Sequence, residues 1–382
     1  MKIKIQSEFI KKAINAIQSI CQKKTISEIT QNILLETEQN SLIIKSTDLE
    51  IYVEINGYIE EIIKNTGNTK ILINGKIIHD IIKEIEEPFV TMEFSDHSCI
   101  ITNEKSQIEL NTITLEQFPQ NDIKIENILT IEDASIIESI SYCAPLSTTS
   151  INKNAISTIL FEFDRENFKA TSTDGHCLCH IQIKKNLPML ENSIQFLLSK
   201  KASSDVKKII ESLPAQNKEI FVGKSNNKII FTNDNYSITV KTINEKFPDY
   251  KKIIKTEYKY EISCNRNHFI KIAKRLSLFT ENKFIPAIME IQTKNDKITF
   301  KIENNTIGKI EEELIIKTKT HESLQDKINI AIFPPYILKA ANEINNDNNL
   351  IMKINERQKP ILFSSDKDSK SMLYVVMPMT GV

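Results

Sequence analysis

The sequence predicts an α+β protein built from three tandem copies of one domain, each with two helices packed on antiparallel sheets. Three observations predict it. A strand signature recurs at domain-sized intervals, each copy holds two segments of helical apolar spacing, and the segments between them alternate with the period of strands.

The repeat is read directly. Ile33-Leu34-Leu35-Glu36 matches Ile159-Leu160-Phe161-Glu162, 126 residues later. The same shift carries Leu42 onto Phe168, and Ser46-Thr47-Asp48 onto Ser172-Thr173-Asp174. A third copy opens with Ala287-Ile288-Met289-Glu290, a further 128 residues on, with Asn304-Asn305 expected in place of Thr-Asp. Phe118-Pro119, Phe247-Pro248 and Met377-Pro378 close the copies at spacings of 129 and 130. The expected domains are residues 1–125, 126–253 and 254–382. Solenoid repeats have periods of about 20–50 residues, so stacked short repeats do not fit.

Each copy should begin with a helix. Phe9, Ile10, Ala13, Ile14 and Ile17 follow the i, i+3, i+4 spacing of one buried face, as do Ile136, Ile137, Ile140 and Cys143, and Phe269, Ile272, Ala273 and Leu276. A hairpin follows, such as 33–37 with 42–46, then a strand alternating as Ile51-Tyr52-Val53-Glu54-Ile55. The second helix carries Ile77, Ile78, Ile81, Ile82 and Ile85 before Pro88 in copy one. In copy two it carries Ala202, Val206, Ile209, Ile210 and Leu213 before Pro214. In copy three it starts at Pro334-Pro335, good first-turn residues, and carries Ile337, Leu338, Ala341 and Ile344.

Composition narrows the function. The chain has 382 residues, 40% of them apolar, enough for two to four ordinary cores. It holds no apolar run of about 18 residues, and Met1-Lys2-Ile3-Lys4-Ile5 reads as a strand without the core of a signal peptide. A cytoplasmic protein with no membrane partner is expected. The 49 basic and 50 acidic residues give a net charge of -1, unlike a protein that simply coats nucleic acid, although charge can be sorted onto one surface.

Cys21, Cys99, Cys143, Cys177, Cys179 and Cys264 are scattered and read as free thiols. The six histidines show no metal-binding spacing, so no metal and no cofactor are expected. A phosphate loop and a nucleophile elbow are both missing, so no intrinsic catalysis is expected. Asp174 and His176 could do acid–base work, but copy one keeps the Asp (Asp48) and has Glu50 in place of the His, which favours a turn.

Lysines and one arginine sit on the polar sides of the helices: Lys11 and Lys12; Lys76 and Lys83; Lys200, Lys201, Lys207 and Lys208; Lys271, Lys274 and Arg275; Lys339. On one helix a solvated face is the simpler reading. Repetition of the bias points to a positive surface for sequence-independent phosphate contacts.

Four segments carry a resemblance: Thr47-Asp48-Leu49-Glu50, Thr173-Asp174-Gly175-His176, Phe247-Pro248-Asp249-Tyr250 and Tyr374-Val375-Val376-Met377-Pro378-Met379. In this order and spacing, with the threefold repeat, the whole chain resembles the bacterial DNA polymerase III beta clamp family. The resemblance implies a head-to-tail homodimer closed into a six-domain ring, with twelve helices around the hole and sheets outside. It implies a DNA sliding clamp, a processivity factor for DNA replication that encircles double-stranded DNA. Such a clamp is a non-catalytic subunit of the DNA-directed DNA polymerase III holoenzyme, a nucleotidyltransferase. The implied partners are the replicative polymerase alpha subunit, the ATP-driven clamp loader complex and other clamp-motif proteins of replication and repair.

Site residues follow from the same resemblance. A partner-peptide pocket would be walled by Ile156, Thr173, Gly175, His176, Cys177 and Leu178, by Pro248, Lys252 and Ile253, by Phe284 and Tyr336, and by Val375, Val376, Met377, Pro378 and Met379. Lys24 matches a DNA-contacting position, and Lys23, Lys76, Lys200 and Lys201 would join it. Ile108 and Leu110 would meet Leu278 and Phe279 of a second copy at the dimer seam. Taken alone, the last apolar stretch reads as a core strand and the seam residues read equally well as internal core. The chain departs from the family in three places. Cys177 stands where Arg is usual, Ser27-Glu28 where Pro is common, and Thr380-Gly381-Val382 lacks a basic residue. A hydrolase using Asp174 and His176, or a scaffold of three tandem domains without a ring, are the competing readings.

Overall fold

The computed structural model describes residues 1–21, 28–113, 118–121, 123, 125–147, 155–187, 190, 192–280, 284–320, 327–344, 349–355, 359–367 and 370–379. Seven α-helices occur among them: α1 (Ser7–Cys21), α2 (Gly75–Lys83), α3 (Asp133–Cys143), α4 (Lys200–Ser212), α5 (Lys251–Ile254), α6 (Arg266–Leu278) and α7 (Pro334–Glu343). By contact density the chain falls into two compact units. The first holds Met1–Ile140, Leu187–Asn192 and Phe196–Asn244, and the second holds Ser141–Asn186, Ser193–Gln195 and Glu245–Val382.

The helices start where side chains can cap them. Asn74 accepts hydrogen bonds from the Lys76 and Ile77 amides, Ser199 from Ala202, and Asn265 from His268. Each satisfies a donor that has no partner inside its own helix. Pro334 and Pro335 open α7, where a missing N–H costs nothing. In α1, Ile10, Ala13, Ile14, Ile17 and Ile20 are buried along one stripe, as their spacing requires. Ile77 departs from expectation: it is 50% exposed, while Ile78 and Ile82 are buried. Consecutive helical residues diverge by about 100°, and in the short α2 only the Ile78–Ile82 side is covered. Ile85 is buried but lies beyond the last residue of α2, Lys83.

The first unit has two antiparallel sheets. One orders Glu61–Lys64, Lys2–Gln6, Phe89–Phe94, Ser98–Thr102 and Gln107–Asn111. The other runs Glu126–Glu132, Glu219–Ser225, Lys228–Thr232, Tyr236–Lys241, Ile51–Tyr58, Ser41–Thr47, Asn32–Glu38 and Thr69–Asn74. This second sheet passes from the middle copy into the first through one strand pair, with Tyr236 opposite Ile55 and Thr239 opposite Tyr52. Backbone ladders therefore join the repeats. The helices add to the join: α1 packs against both α2 and α4, and Ser19 donates to Asp205 at 2.7 Å.

In the second unit one sheet orders Thr158–Phe163, Asn167–Thr173, Cys177–Lys184, Lys370–Val376, Ile361–Lys367, Asn349–Ile354, Tyr260–Asn265, Gly308–Thr320, Lys297–Asn304, Ala287–Gln292 and Ile328–Ile332. Here the middle copy meets the third, with Cys177 opposite Val376 and Leu178 opposite Val375. α6 packs on α7, and Arg266 donates to the carbonyls of Ala341, Asn342 and Ile344 at the end of α7.

The Thr-Asp segments close the same turn in both copies. Asp48 Oδ1 accepts from the amides of Glu50 and Ile51, and Asp174 Oδ1 from those of His176 and Cys177. Thr47 and Thr173 donate to the carbonyls of Ile51 and Cys177. The residue after the Asp has a positive φ in each, Leu49 at 72° and Gly175 at 88°. That region costs an L side chain about 1–2 kcal/mol, so glycine is the easier occupant. In the third copy Asn304 Oδ1 accepts from the amides of Thr306 and Ile307, so Asn304 takes the Asp role.

Asp48 also receives Lys201 of α4 at 2.7 Å, and Lys201 reaches Asp205 at 3.3 Å. Asp48 is thus a buried acceptor for two amides and one ammonium. Replacing Asp48 with Ala should lower the unfolding free energy by at least about 2 kcal/mol, since those donors lose their acceptor. Urea unfolding of the two proteins measures this, and an unchanged midpoint would contradict it.

Candidate functional site

The second unit gathers most of the proposed pocket residues around the end of the strand Lys370–Val376. Cys177, Leu178, Val375 and Val376 form the ladder beneath it and are buried. Just past the ladder, the Met377 amide donates to the His176 carbonyl at 2.9 Å. The Met379 amide donates to Ala331 at 2.8 Å, so the chain beyond the strand is fixed at two points. His176 stacks on Tyr336 of α7, with ring centroids 5.9 Å apart and planes at 20°. Tyr336 meets Phe333 edge-on at 5.0 Å, and Phe333 meets Phe284 at 4.8 Å. The result is a row of rings, His176, Tyr336, Phe333 and Phe284, beside the strand end.

The row is accessible. Phe284 is 69% exposed and Met377 37%, while Tyr336, Pro378 and Met379 are half-buried. Thr173 is buried and spends its hydroxyl on the turn. Gly175 is exposed, and a Cβ there would meet nothing within 4 Å. Cys177 is 2% exposed, so it offers a buried thiol, held protonated by burial, and no polar surface contact. Pro248, Lys252 and Ile253 lie on a turn around Tyr250, and Lys252 pairs with Asp249 at 3.1 Å. Ile156 is 36% exposed in a short helical turn next to the strand Thr158–Phe163. The turn with Pro248, Lys252 and Ile253 is tied to the same sheet through Tyr250, whose ring lies 5.4 Å from that of His180.

The first unit repeats the arrangement with other chemistry. The Lys241 amide donates to the Glu50 carbonyl at 2.9 Å, as Met377 does to His176. The groove beside it, of about 150 Å³, is lined by Leu49, Glu50, Tyr52, Pro119, Asn121, Lys228, Thr239 and Lys241 among others. Thr239, Lys241 and Tyr52 stand where the second unit has Val375, Met377 and Leu178.

The basic positions divide. Lys23 and Lys24 lie outside the described residues. Lys76 is exposed in the first turn of α2. Lys200 opens α4 half-buried, and Lys201 is held by Asp48 and Asp205, which leaves its charge largely answered. Between α1 and α2 a groove of about 350 Å³ is lined by Lys11, Lys12, Ile14, Asn15, His79, Ile82 and Lys83. Lys12 pairs with Glu8 and Lys83 with Glu84, both exposed pairs that hold weakly.

The seam candidates are on separate elements. Ile108 and Leu110 are half-buried on Gln107–Asn111, the last strand of its sheet. Leu278 ends α6 and is 59% exposed, so it is not internal core, and Phe279 beside it is half-buried. Ile315, 81% exposed on Gly308–Thr320, escaped the sequence reading because strand alternation alone does not say which face is covered, and Ile307, 50% exposed, lies in the turn just before that strand.

Asp174 is occupied by backbone amides and His176 by Tyr336, an arrangement suited to holding a turn. No group of three or more His, Cys, Asp or Glu that could hold a metal occurs among the described residues. All six cysteines are free and buried. No helix among the described residues is long and apolar enough to cross a membrane. Phe333 and Tyr250 were missed as site residues. Phe333 stood just before the Pro334-Pro335 helix start and Tyr250 inside the quoted Phe-Pro-Asp-Tyr, so position was legible and contact was not.

Comparison with known proteins gives three consecutive family matches. Residues 1–122 match the DNA polymerase III beta subunit N-terminal domain, 130–249 its central domain and 251–380 its C-terminal domain. The chain is 23% identical over 382 residues to a beta sliding clamp of Helicobacter pylori, covering 97% of this chain and 96% of that one. It is 25% identical over 396 residues to a beta sliding clamp of Rickettsia bellii, covering 99% of each. The crystal structure of a DNA polymerase III beta subunit from Thermotoga maritima superposes with a TM-score of 0.88 at 17% identity, covering 100% of both chains.

One buried group sets a pH dependence. His180 lies 5% exposed among Thr171, Tyr250, Glu162, Lys169 and Lys251, and burial pushes its pKa down to about 4. Between about pH 6.5 and 4 the unfolded chain binds a proton that the native one refuses. Stability should therefore fall with falling pH in that window, by up to about 1.4 kcal/mol per pH unit from this residue. Urea unfolding of His180→Gln across that range should show a shallower decline than wild type. Parallel pH curves would rule His180 out as the cause.

Proposed function

The chain belongs to the DNA polymerase III beta subunit family, and from that premise we propose that it is a DNA sliding clamp. The observation that carries the reading is the run of three family domains in order along nearly the whole chain. The clamp encircles duplex DNA in the cytoplasm as a head-to-tail homodimer and tethers the replicative polymerase, without catalysis of its own. The clamp loader and other proteins with clamp-binding peptides are its further partners. Two-fold repetition of one head-to-tail contact closes a ring. We assign one half of that contact to the Gln107–Asn111 edge with Ile108 and Leu110, and the other to Leu278 and Phe279. Exposed Leu278 supports the assignment. The three domain spans expected from the repeat are kept as 1–125, 126–253 and 254–382.

The partner pocket is the ring row and strand end of the second unit. Peptides of varied sequence can be held by a few apolar anchors on a preformed surface, and methionine adapts to different shapes. Met377, Met379, Phe284 and Tyr336 fit that requirement. Calorimetric titration with a polymerase-derived clamp peptide should show Met379→Ala weaker by about 1–2 kcal/mol. Equal affinity would remove Met379 from the site, and wild type that binds no such peptide would count against the pocket.

For DNA, Lys11, Lys12, His79 and Lys83 along the α1–α2 groove join Lys76 and Lys200, with Lys24 kept from the family match and Lys23 as its neighbour. Phosphate contacts are sequence-independent and salt-sensitive. Clamps loaded on circular DNA should stay bound and run off once it is linearised. Replacing Lys11, Lys12 and Lys83 with Ala should weaken binding evenly across sequences and reduce the salt slope by about 2–3. Leu278→Ala with Phe279→Ala should abolish retention on circles. An unchanged slope would contradict the lysine assignment, and unchanged retention the seam.

A further inference from the structure

The segment that carries Pro248 and leads into the single helical turn of α5, with Lys252 and Ile253, has no ladder of its own. Its shape depends on Tyr250. The Tyr250 amide donates to the Pro248 carbonyl at 2.7 Å, and the amides of Ile253 and Ile254 donate back to the Tyr250 carbonyl at 3.0 and 3.2 Å. One residue therefore sets where Pro248 and Ile253 stand.

Tyr250 is in turn bolted to the sheet. It is 4% exposed, and its hydroxyl donates to Glu162 Oε2. Its ring lies 5.4 Å from His180 and 6.1 Å from Phe247. The neighbouring Lys251 reaches the other Glu162 oxygen at 3.0 Å. Glu162 and His180 stand on the strands Thr158–Phe163 and Cys177–Lys184. The second of these begins at Cys177, next to the Thr173–His176 turn. Burial holds the phenol protonated, so it stays a donor. Glu162 is half-buried, and a hydrogen bond to a carboxylate is among the stronger kinds and fixes direction as well as distance.

The repeat supplies an internal control. Pro119 stands where Pro248 does, and Asn121 where Tyr250 does. Asn121 donates to Thr239 at 2.9 Å and accepts from Lys228 at 3.1 Å. Glu36, the counterpart of Glu162, is answered by Lys45 and Lys70. The tyrosine-to-glutamate bolt occurs in the copy whose neighbouring surface is apolar, and an amide network replaces it where the surface is polar.

We propose that Tyr250 is a positioning residue for partner peptides, acting through its bond to Glu162 to hold Pro248 and Ile253 at the edge of the pocket. The inference rests on reading that surface as the peptide site. Tyr250 touches no peptide in this role; it removes the freedom of the turn before binding, so less ordering is left for the peptide to cause.

The test is calorimetric titration of the full chain with the polymerase-derived clamp peptide, alongside thermal unfolding of each variant. Tyr250→Phe keeps the ring and loses the bond, and should bind about five- to tenfold more weakly. Glu162→Gln keeps an acceptor and should stay within about twofold of wild type, whereas Glu162→Ala should match Tyr250→Phe. In a Pro248→Ala background, Tyr250→Phe should cost little more, because the wall it positions is already gone. A residue that served only stability would lower the melting temperature and leave the dissociation constant unchanged. Wild type that fails to bind the peptide would overturn the pocket itself. Wild type that binds, with Tyr250→Phe binding equally or losing as much with Pro248→Ala as without it, would overturn the positioning role alone.

Discussion

Strand pairing between consecutive repeats is the constraint on which the rest depends. Thr239 faces Tyr52 in one unit and Val375 faces Leu178 in the other. Each pairing extends a sheet from one copy into the next and so uses backbone groups that every sequence has. It also sets a register, and a shift of one residue would turn each inward side chain outward. The Asx turns at Asp48 and Asp174 end these pairings at matching places, because their carboxylates take the amides left over where the ladder begins. The chain leaving the paired strand is then held against the turn by one more hydrogen bond, from Lys241 to Glu50 or from Met377 to His176.

Given that common frame, side chains alone decide which junction can take an apolar ligand. Beside the turn in the first unit stand Glu50, Tyr52, Thr239 and Lys241. Beside the matching turn in the second stand His176, Leu178, Val375 and Met377, with Phe333, Phe284 and Tyr336 next to them. An apolar anchor entering the first would leave charges and amides without water, and entering the second would cover apolar surface already arranged to receive it. Two sites of one ancestry in geometry thus differ in chemistry by a handful of residues.

The repeated glutamate shows the same economy of frame and variety of use. Glu36, Glu162 and Glu290 sit at one position of the repeated strand. Glu36 is buried with Lys45 and Lys70, Glu162 takes Tyr250 and Lys251, and Glu290 takes Lys327 at 2.7 Å. A buried carboxylate without a partner would be costly, so each copy supplies one, and the supplier differs. In the middle copy the supplier is the turn leading to the third domain, which ties that turn to the sheet.

The sequence by itself determined the threefold α+β repeat, the helices with the proline start of α7, the shared turn and the family. Those depend on local periodicity and on short motifs that fold through near neighbours, as with Ile10 to Ile20 on α1 or Asp174 with its own following amides. Ile77 shows the limit even there, since spacing admits two adjacent stripes and the core chooses one. Tertiary structure alone decided which residues meet across long separations. It brought Phe333 between Phe284 and Tyr336, set Tyr250 on Glu162, turned Cys177 inward and spent Lys201 on Asp48 and Asp205. The contacts of Phe284 with Phe333, Tyr250 with Glu162 and Lys201 with Asp48 join residues 49, 88 and 153 positions apart, and a linear pattern carries the type of each partner but not the direction in which the folded backbone points it.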